Sequence, residues 1–335
     1  MTTASTEIRL ASRPHGFPAA DNFAVVKTEL PDPGPGQLLV RNELISVDPY
    51  MRGRMSDAKS YVAPYEIDRP LEGGAIGVVV SSAADGFAAG DHVLHGLGWR
   101  SHALVEARSA ATIDPGAAPL GAYLGVLGMT GLTAYAGLLR TAEFQPGDTV
   151  YVSSAAGSVG QVVVQLARLR GAGRVIGSAG SAAKVAYLRD ELGVDAAFDH
   201  HDGAVRDLLR AAAPDGIDVY FDNVGGDHLE AALSSLRVHG RVCVCGMISV
   251  YNATAPVPAP RNLAVLIGKR LTVRGMLVGD HQDLRPQFLA EVAPWVADGT
   301  LKYRETIHDG LENTPEVFLA MLRGEGGVGK VLVRV

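Results

Sequence analysis

Asp148-Thr-Val-Tyr-Val-Ser-Ser154 runs straight into Ala155-Ala-Gly-Ser-Val-Gly160, and from Val159 to Arg170 apolar residues recur at 159, 162, 163, 166, 167 and 169. The first stretch follows the turn Gln145-Pro-Gly147 and reads as a strand buried on both faces; the last has helical spacing. Between them, Gly157 and Gly160 form a G-x-x-G turn, with Ala155 where a fuller G-x-G-x-x-G carries its first glycine. Small residues here let the backbone approach a pyrophosphate, while the helix start supplies unpaired N–H groups and a positive dipole end. A tight strand–helix turn without a ligand is the competing reading. The flanking strand and helix favour a nucleotide site at Ala156, Gly157, Ser158, Val159 and Gly160.

Downstream the alternation continues. Arg174–Ser178 reads as a strand, Ala182–Leu192 as a helix, Ala196–Phe198 as a strand and Ala204–Ala213 as a helix. Ile217–Asp222, Asp227–Leu236, Arg241–Cys245, Asn262–Lys269 and Leu271–Gly275 extend the series to a last strand. Units of this length imply a doubly wound parallel sheet over residues 129–299. Upstream, Gln37-Leu-Leu-Val-Arg41, Gly77-Val-Val-Val-Ser81 and Asp91-His-Val-Leu94 are short strands among Gly and Pro turns, as in a small barrel-like domain over residues 1–128. Helices are expected at Phe288–Asp298 and Glu316–Arg323, and Gly329–Val335 reads as a closing strand. Residues 300–335 are expected to return to the first domain. The fold class is therefore α/β.

The chain has 335 residues, 47% hydrophobic and 20% charged, which suits a folded two-domain protein and excludes a disordered one. A net charge of −6 gives no nucleic-acid footprint. No apolar run approaches membrane-spanning length and Met1–Leu10 lacks a signal-peptide core, so a cytoplasmic location is expected. Cys243 and Cys245, at i and i+2, suit neither a disulfide nor a four-cysteine zinc site and read as packing residues beside a ligand-binding turn.

An NAD-binding sheet places an acidic residue at the end of its second strand, about 20 residues after the glycine turn. Here that place reads Gly177-Ser-Ala-Gly-Ser181, without a carboxylate, followed by Lys184. A missing acid and a nearby cation suit a 2′-phosphate, so NADPH is expected rather than NADH. The plainer reading leaves Lys184 as a solvated helix residue.

Several stretches together resemble one family: Val47-Asp-Pro-Tyr-Met-Arg-Gly-Arg-Met55, Leu127-Gly-Met-Thr-Gly-Leu-Thr-Ala-Tyr135, Ala155–Gly160, Phe221-Asp-Asn-Val-Gly-Gly226, Cys245-Gly-Met-Ile-Ser-Val-Tyr-Asn252 and Gly329-Lys-Val-Leu-Val333. They are similar to the zinc-independent medium-chain dehydrogenase/reductases, in the branch of prostaglandin reductases, plant double-bond reductases and bacterial NADPH-dependent curcumin reductases. The curcumin-reductase side is favoured by Ala11-Ser-Arg-Pro-His-Gly16, Met55-Ser-Asp57, Asp199-His-His201 and Asp309-Gly-Leu-Glu-Asn313. The resemblance, from about Ala11 to Val335, implies a GroES-like catalytic domain, a Rossmann domain, a homodimer and a site between domains. It implies cofactor contacts at Ala156, Gly157, Val159, Lys184, Asn223, the Cys245–Tyr251 loop with Gly246 and Ser249, and Met276, Leu277 and Val278. His200 stands where prostaglandin reductases carry a tyrosine near the adenosine phosphate. The family's cofactor-contacting asparagine near the last strand is missing, replaced by Gly324-Glu-Gly-Gly-Val-Gly329. The Gly-His-Glu of zinc alcohol dehydrogenases is absent near Leu71-Glu-Gly-Gly74.

For this family the implied reaction is reduction of the double bond of an α,β-unsaturated carbonyl compound. Charge then grows on the carbonyl oxygen and a proton must reach the α-carbon, a task suited to tyrosine hydroxyls. Tyr251, Tyr50 and Tyr61, the last in Lys59-Ser-Tyr-Val62, are the candidates, with Tyr61 the preferred proton donor. Tyr50 as a packing residue and Tyr61 as an exposed loop aromatic are the plain alternatives. His92, His95 and His102 lack a ligand-type carboxylate cluster, so no metal is expected. A quinone oxidoreductase of the same superfamily and a non-catalytic NADPH-binding redox sensor remain rival functions.

Overall fold

The computed structural model describes residues 2–335, which divide into two units. One comprises the chain up to Leu124 with Glu305–Gly327 and Val331–Val335; the other comprises Gly125–Arg304 with Val328–Lys330.

The first unit opens with β1 (Thr2–Leu10) and β2 (Phe23–Pro31), an antiparallel pair in unbroken register from Thr2 opposite Pro31 to Leu10 opposite Phe23. Then come β3 (Gln37–Ser46), β4 (Ala75–Ser82), β5 (His92–His95), β6 (His102–Glu106) and β7 (Ala111–Thr112). β3, longer than the five residues its sequence suggests, is central: it pairs with both β4 and β6. Ile8, Leu10, Ile45, Val47 and Met51 bury their side chains around Trp99, whose ring lies 5.8 Å from that of Phe318 and 6.1 Å from that of Phe23. β1 has no clean polar–apolar alternation because Ser5 and Glu7 are themselves buried. Ser5 Oγ donates to the His102 carbonyl at 3.0 Å, and Glu7 pairs with Arg9 at 2.7 Å.

In the second unit β8 (Thr149–Val152), β9 (Arg174–Ala179), β10 (Ala196–Asp199), β11 (Ile217–Asp222), β12 (Leu236–Val244) and β13 (Thr272–Gly275) form a six-stranded sheet. It runs in the order β10-β9-β8-β11-β12-β13, parallel throughout. This is the doubly wound Rossmann arrangement. The order reverses at β8, so the crevice for a dinucleotide opens at the carboxyl ends of β8 and its neighbours. Tyr151, Ile176, Tyr220, Leu233 and Val242 fill one side of the sheet. The helix expected at Ala182–Leu192 is regular only to Ala186 and widens to a π-turn over Tyr187–Glu191, and the one expected from Asn262 is regular from Val265. The chain then returns through β14 (Glu305–Asp309) and β15 (Lys330–Arg334) to the first unit, giving the sheet order β14-β15-β3-β4-β5-β7. Among the described residues no helix is long and apolar enough to cross a membrane.

Candidate functional site

At the end of β8 the backbone turns sharply. Ser154 adopts a left-handed conformation, φ 48°, and its carbonyl accepts the Gly157 N–H at 3.0 Å. A Cβ on Gly160 would stand 2.4 Å from the Ser154 oxygen and 2.6 Å from the Ala155 Cα, both rigid backbone, so only glycine lets the helix Gly160–Leu169 start this close. No side chain caps that helix at Val159. The Gln161 and Val162 N–H groups are already taken by the Gly157 and Val159 carbonyls, each at 3.0 Å, so the backbone that faces an anion at the switch point is that of the turn just before them, Ser158 to Gly160. Ser158 contributes differently from its hydroxyl chemistry: Ser158 Oγ donates to Thr130 Oγ1 at 2.8 Å, and Thr130 in turn to the Gly125 carbonyl at 2.9 Å. What Ser158 offers a phosphate is its backbone.

The ends of β9 and β10 gather the charges. Ser181 caps the helix Ala182–Ala186 by accepting the Lys184 N–H at 3.3 Å. The half-buried Lys184 ammonium is pushed below its usual range by burial, against the pull of Asp199. His200 donates Nδ1–H to the Ala179 carbonyl at 2.7 Å, and its ring lies 4.0 Å from that of His201. Although burial opposes it, Asp199 is held below the usual carboxylate range by His201, whose backbone N–H and ring Nδ1 meet Asp199 Oδ1 at 3.0 and 2.9 Å. A carboxylate thus stands near this corner after all, supplied by β10 and engaged by a histidine.

At the end of β11, Asp222 is wholly buried, and Oδ1 accepts the N–H groups of Val224 and Gly225 at 2.9 and 2.7 Å and the Tyr220 hydroxyl at 2.7 Å. Burial raises its pKa even so. This carboxylate shapes the loop that carries Asn223, whose Nδ2 donates to the Ser153 carbonyl at 2.8 Å and whose N–H reaches Ser153 Oγ at 3.0 Å. The Asp222 carbonyl accepts the N–H groups of Cys245 and Gly246, both at 2.9 Å, so the ends of β11 and β12 are tied together. Ser249 Oγ donates to the Val224 carbonyl at 2.5 Å. The Tyr251 hydroxyl folds back to accept the Met247 N–H at 3.4 Å, close over Gly246. Both cysteines are free; burial, with Asp222 adding, pushes the Cys245 thiol up to about 12 and keeps it protonated. Met276 donates to the Val244 carbonyl at 3.0 Å, which sets Met276, Leu277 and Val278 beside the end of β12. The residues expected from the sequence to meet the cofactor follow the carboxyl ends of these strands, on strand ends, turns and the first residues of the helices after them. Asp222 and Ser153 belong to the same edge, with Thr130 on the helix Met129–Ala136 beside it, and were not singled out; they bond one another, distant side chains and backbone groups, which leave no motif.

In the first unit Tyr50 precedes the short helix Met51–Arg54. Burial and the Asp48 carboxylate push its hydroxyl well above the usual tyrosine range; Arg54 opposes the shift, while Tyr61 and Glu72 add to it. Tyr61 is thus an electrostatic neighbour of Tyr50, and it is 66% exposed. Tyr65 joins them beneath the Arg54 guanidinium, 4.1 Å from its ring, but donates its hydroxyl to the Glu72 carbonyl at 2.6 Å. Residues 71–74 do not suit zinc: Glu72 pairs with Arg54 at 2.8 Å, and a Cβ on Gly73 would meet the Met51 methyl at 2.3 Å. His95 is committed at both nitrogens, to Asn42 Oδ1 at 2.9 Å and the Leu97 N–H at 3.1 Å. Among the described residues, the one trio of His, Cys, Asp or Glu with ligand atoms within 4.8 Å of one another is Asp199, His200 and His201.

Residues 6–113 match the family described as the N-terminal domain of oxidoreductase, and residues 158–294 the family described as zinc-binding dehydrogenase. The chain is 40% identical over 331 residues to the NADPH-dependent curcumin reductase of Escherichia coli (strain K12), covering 97% of this chain and 95% of that protein. It is 40% identical over 324 residues to prostaglandin reductase 1 of Mus musculus, covering 95% of each. The crystal structure of CurA from Vibrio vulnificus in complex with NADPH superposes with a TM-score of 0.92 at 38% identity, covering 98% of this chain and 99% of that one.

Proposed function

The chain belongs to the zinc-independent branch of the medium-chain dehydrogenase/reductases, and on that footing we propose that it is an NADPH-dependent reductase of the carbon–carbon double bond of α,β-unsaturated ketones and aldehydes. The observation that carries the reading is the carboxyl edge of the parallel sheet: a glycine turn with an uncapped helix start at β8, and Lys184 rather than a free acid after β9. NADPH supplies the hydride when bound.

The chain supplies alignment and hydrogen bonds. Backbone N–H groups of the Ser154–Gly160 turn hold the pyrophosphate, Lys184 and His200 the 2′-phosphate, and Asn223, the Cys245–Tyr251 loop and Met276–Val278 the rest of the dinucleotide. The Tyr50 hydroxyl is protonated at neutral pH, as tyrosines ordinarily are and as burial and Asp48 further favour, and it donates to the carbonyl oxygen where charge builds up. Tyr61 delivers the proton to the α-carbon, and Tyr251 orders the loop at the cofactor's edge.

We also assign a homodimer in the cytoplasm. β13 is an edge strand of its sheet whose Val273 is 42% exposed, and the helix before it exposes Ile267 at 82%; two such edges pair without leaving unsatisfied backbone. Light scattering tests this: wild type runs as a dimer and Val273→Lys as a monomer, whereas a monomeric wild type refutes it.

For the reaction, purified protein is mixed with NADPH and a panel of enones, including a curcumin-like dienone, and with quinones. Loss of NADPH absorbance and a product heavier by two hydrogens, its carbonyl intact, is the expected result. A far larger kcat/KM for quinones, or NADPH binding without turnover, overturns the assignment.

A further inference from the structure

The glycine run Gly324–Gly329, which stands where the family's asparagine is missing, ends against the nucleotide turn. Gly329 donates its N–H to the Ala156 carbonyl at 2.8 Å, and Gly157 and Gly329 form a parallel bridge. The carbonyl of Ala156 and the N–H of Gly157 belong to one peptide group. Gly329 holds the first and the Ser154 carbonyl the second, at 3.0 Å, so the plane of this peptide is fixed from both sides. No other residue fits at 329: φ is +76°, and a Cβ would stand 1.8 Å from the Arg304 carbonyl oxygen.

That oxygen is itself held, by the Lys330 N–H at 3.1 Å and by Gln161 Nε2 at 3.2 Å. Gln161 is 2% exposed and lies in the first turn of the helix that follows the nucleotide turn. Its Oε1 accepts the Arg304 N–H at 3.0 Å and the Tyr187 hydroxyl at 2.7 Å, so both the oxygen and the nitrogen of its amide are engaged. One helical turn on, Gln165 treats Lys302 in the same way, accepting its N–H at 2.8 Å and donating to its carbonyl at 2.6 Å. Two buried amides at i and i+4 thus stand in for a neighbouring strand along 302–304. Only the Gln161 pair connects on, through the Arg304 carbonyl and Gly329, to the Ala156–Gly157 peptide.

We infer that Gln161 and Gly329 are positioning residues of the dinucleotide site, and that the C-terminal segment holds the phosphate turn in shape through its backbone. The inference rests on the reading of Ser154–Gly160 as the pyrophosphate cradle. It deepens that reading by naming what keeps the cradle in shape.

The test compares Gln161→Leu with Gln165→Leu in the full-length protein. Each removes one buried amide and leaves one backbone N–H on 302–304 unmet; Gln161→Leu also strands the Tyr187 hydroxyl, and Gln165→Leu the Lys302 carbonyl, so their structural costs are comparable. Gln161→Leu should raise the Kd for NADPH and for NADH by about tenfold or more, in the same proportion for both, because the pyrophosphate is common to them. Gln165→Leu should lose a similar amount of Tm and leave both Kd values within about twofold of wild type. A wild-type measurement guards against a variant that does not fold: NADP+ should slow hydrogen exchange at the Gly329 amide. Nucleotide affinity unchanged in Gln161→Leu, equal loss in the two variants, or Gly329 exchange indifferent to NADP+ overturns the inference while leaving the reductase reading in place. A wild type that binds neither nucleotide overturns both.

Discussion

Replacing Lys184 by alanine removes the one cation expected to meet the 2′-phosphate, and the structure sets how much this should cost. A charge-assisted hydrogen bond is worth about 1.5–3 kcal/mol. The upper end does not apply here, because the half-buried ammonium already interacts with Asp199 and part of its charge is spent there. His200, beside the same corner, keeps a second polar group near the phosphate. A loss of about 2 kcal/mol is therefore expected, which is roughly 30-fold in the Kd for NADPH. NADH lacks the phosphate, so its Kd should move by less than about twofold. Cofactor binding is followed by quenching of protein fluorescence or by calorimetry at two salt concentrations, since the lost interaction should also flatten the salt dependence for NADPH. Equal weakening of NADPH and NADH would show that Lys184 supports the helix and not the phosphate, and the assignment of the 2′-phosphate corner would fall with it.

Tyr61→Phe should lower kcat by about tenfold or more with NADPH Kd nearly unchanged, because the hydroxyl acts in the transition state; unchanged turnover removes Tyr61 from the mechanism. Stability should fall on mild acidification. Burial, helped by Arg100 at His95 and by His200 at His228, lowers both histidines to about 4, so below the unfolded value of about 6.5 only the unfolded chain takes up their protons. The native state then loses roughly 2 kcal/mol per histidine between pH 6.5 and 5, levelling off near 4. Denaturant titrations across that range check this, and a slope that is the same in His228→Gln takes that histidine out of the account.

How much of this was legible in the sequence depends on what each residue answers to. β8 and β11 could be read because a strand buried on both faces by neighbours in a parallel sheet is rich in apolar residues on both of its faces, as in Val150–Val152. Gly157 and Gly160 could be read because a backbone approach that forbids a Cβ leaves glycine behind as its record. β1 could not, because Ser5 and Glu7 are buried polar residues satisfied by distant partners, and they erase the alternation on which strand reading depends. The start of β12 was missed for a related reason, since Arg237, Val238 and His239 are all exposed while the strand continues through them. Lys184 could be picked out from its place just after the acid-free end of the second strand, and Tyr50, Tyr61 and Tyr251 from the stretches that resemble the family. Asp222 and Gln161 do their work on backbone groups, and any sequence can supply those, so nothing marks them in advance.

Gln161 meets Arg304 across 143 positions of chain, and Gly329 reaches the Ala156 carbonyl from farther still. The nucleotide unit therefore cannot be finished as it emerges from a ribosome: six strands and their helices are made well before the last backbone clasp arrives. Until then the Ala156–Gly157 peptide lacks one of the two bonds that fix its plane, so a chain that stops short of Gly329 should bind nucleotide more weakly and gain less of the stabilisation that a bound cofactor gives by mass action.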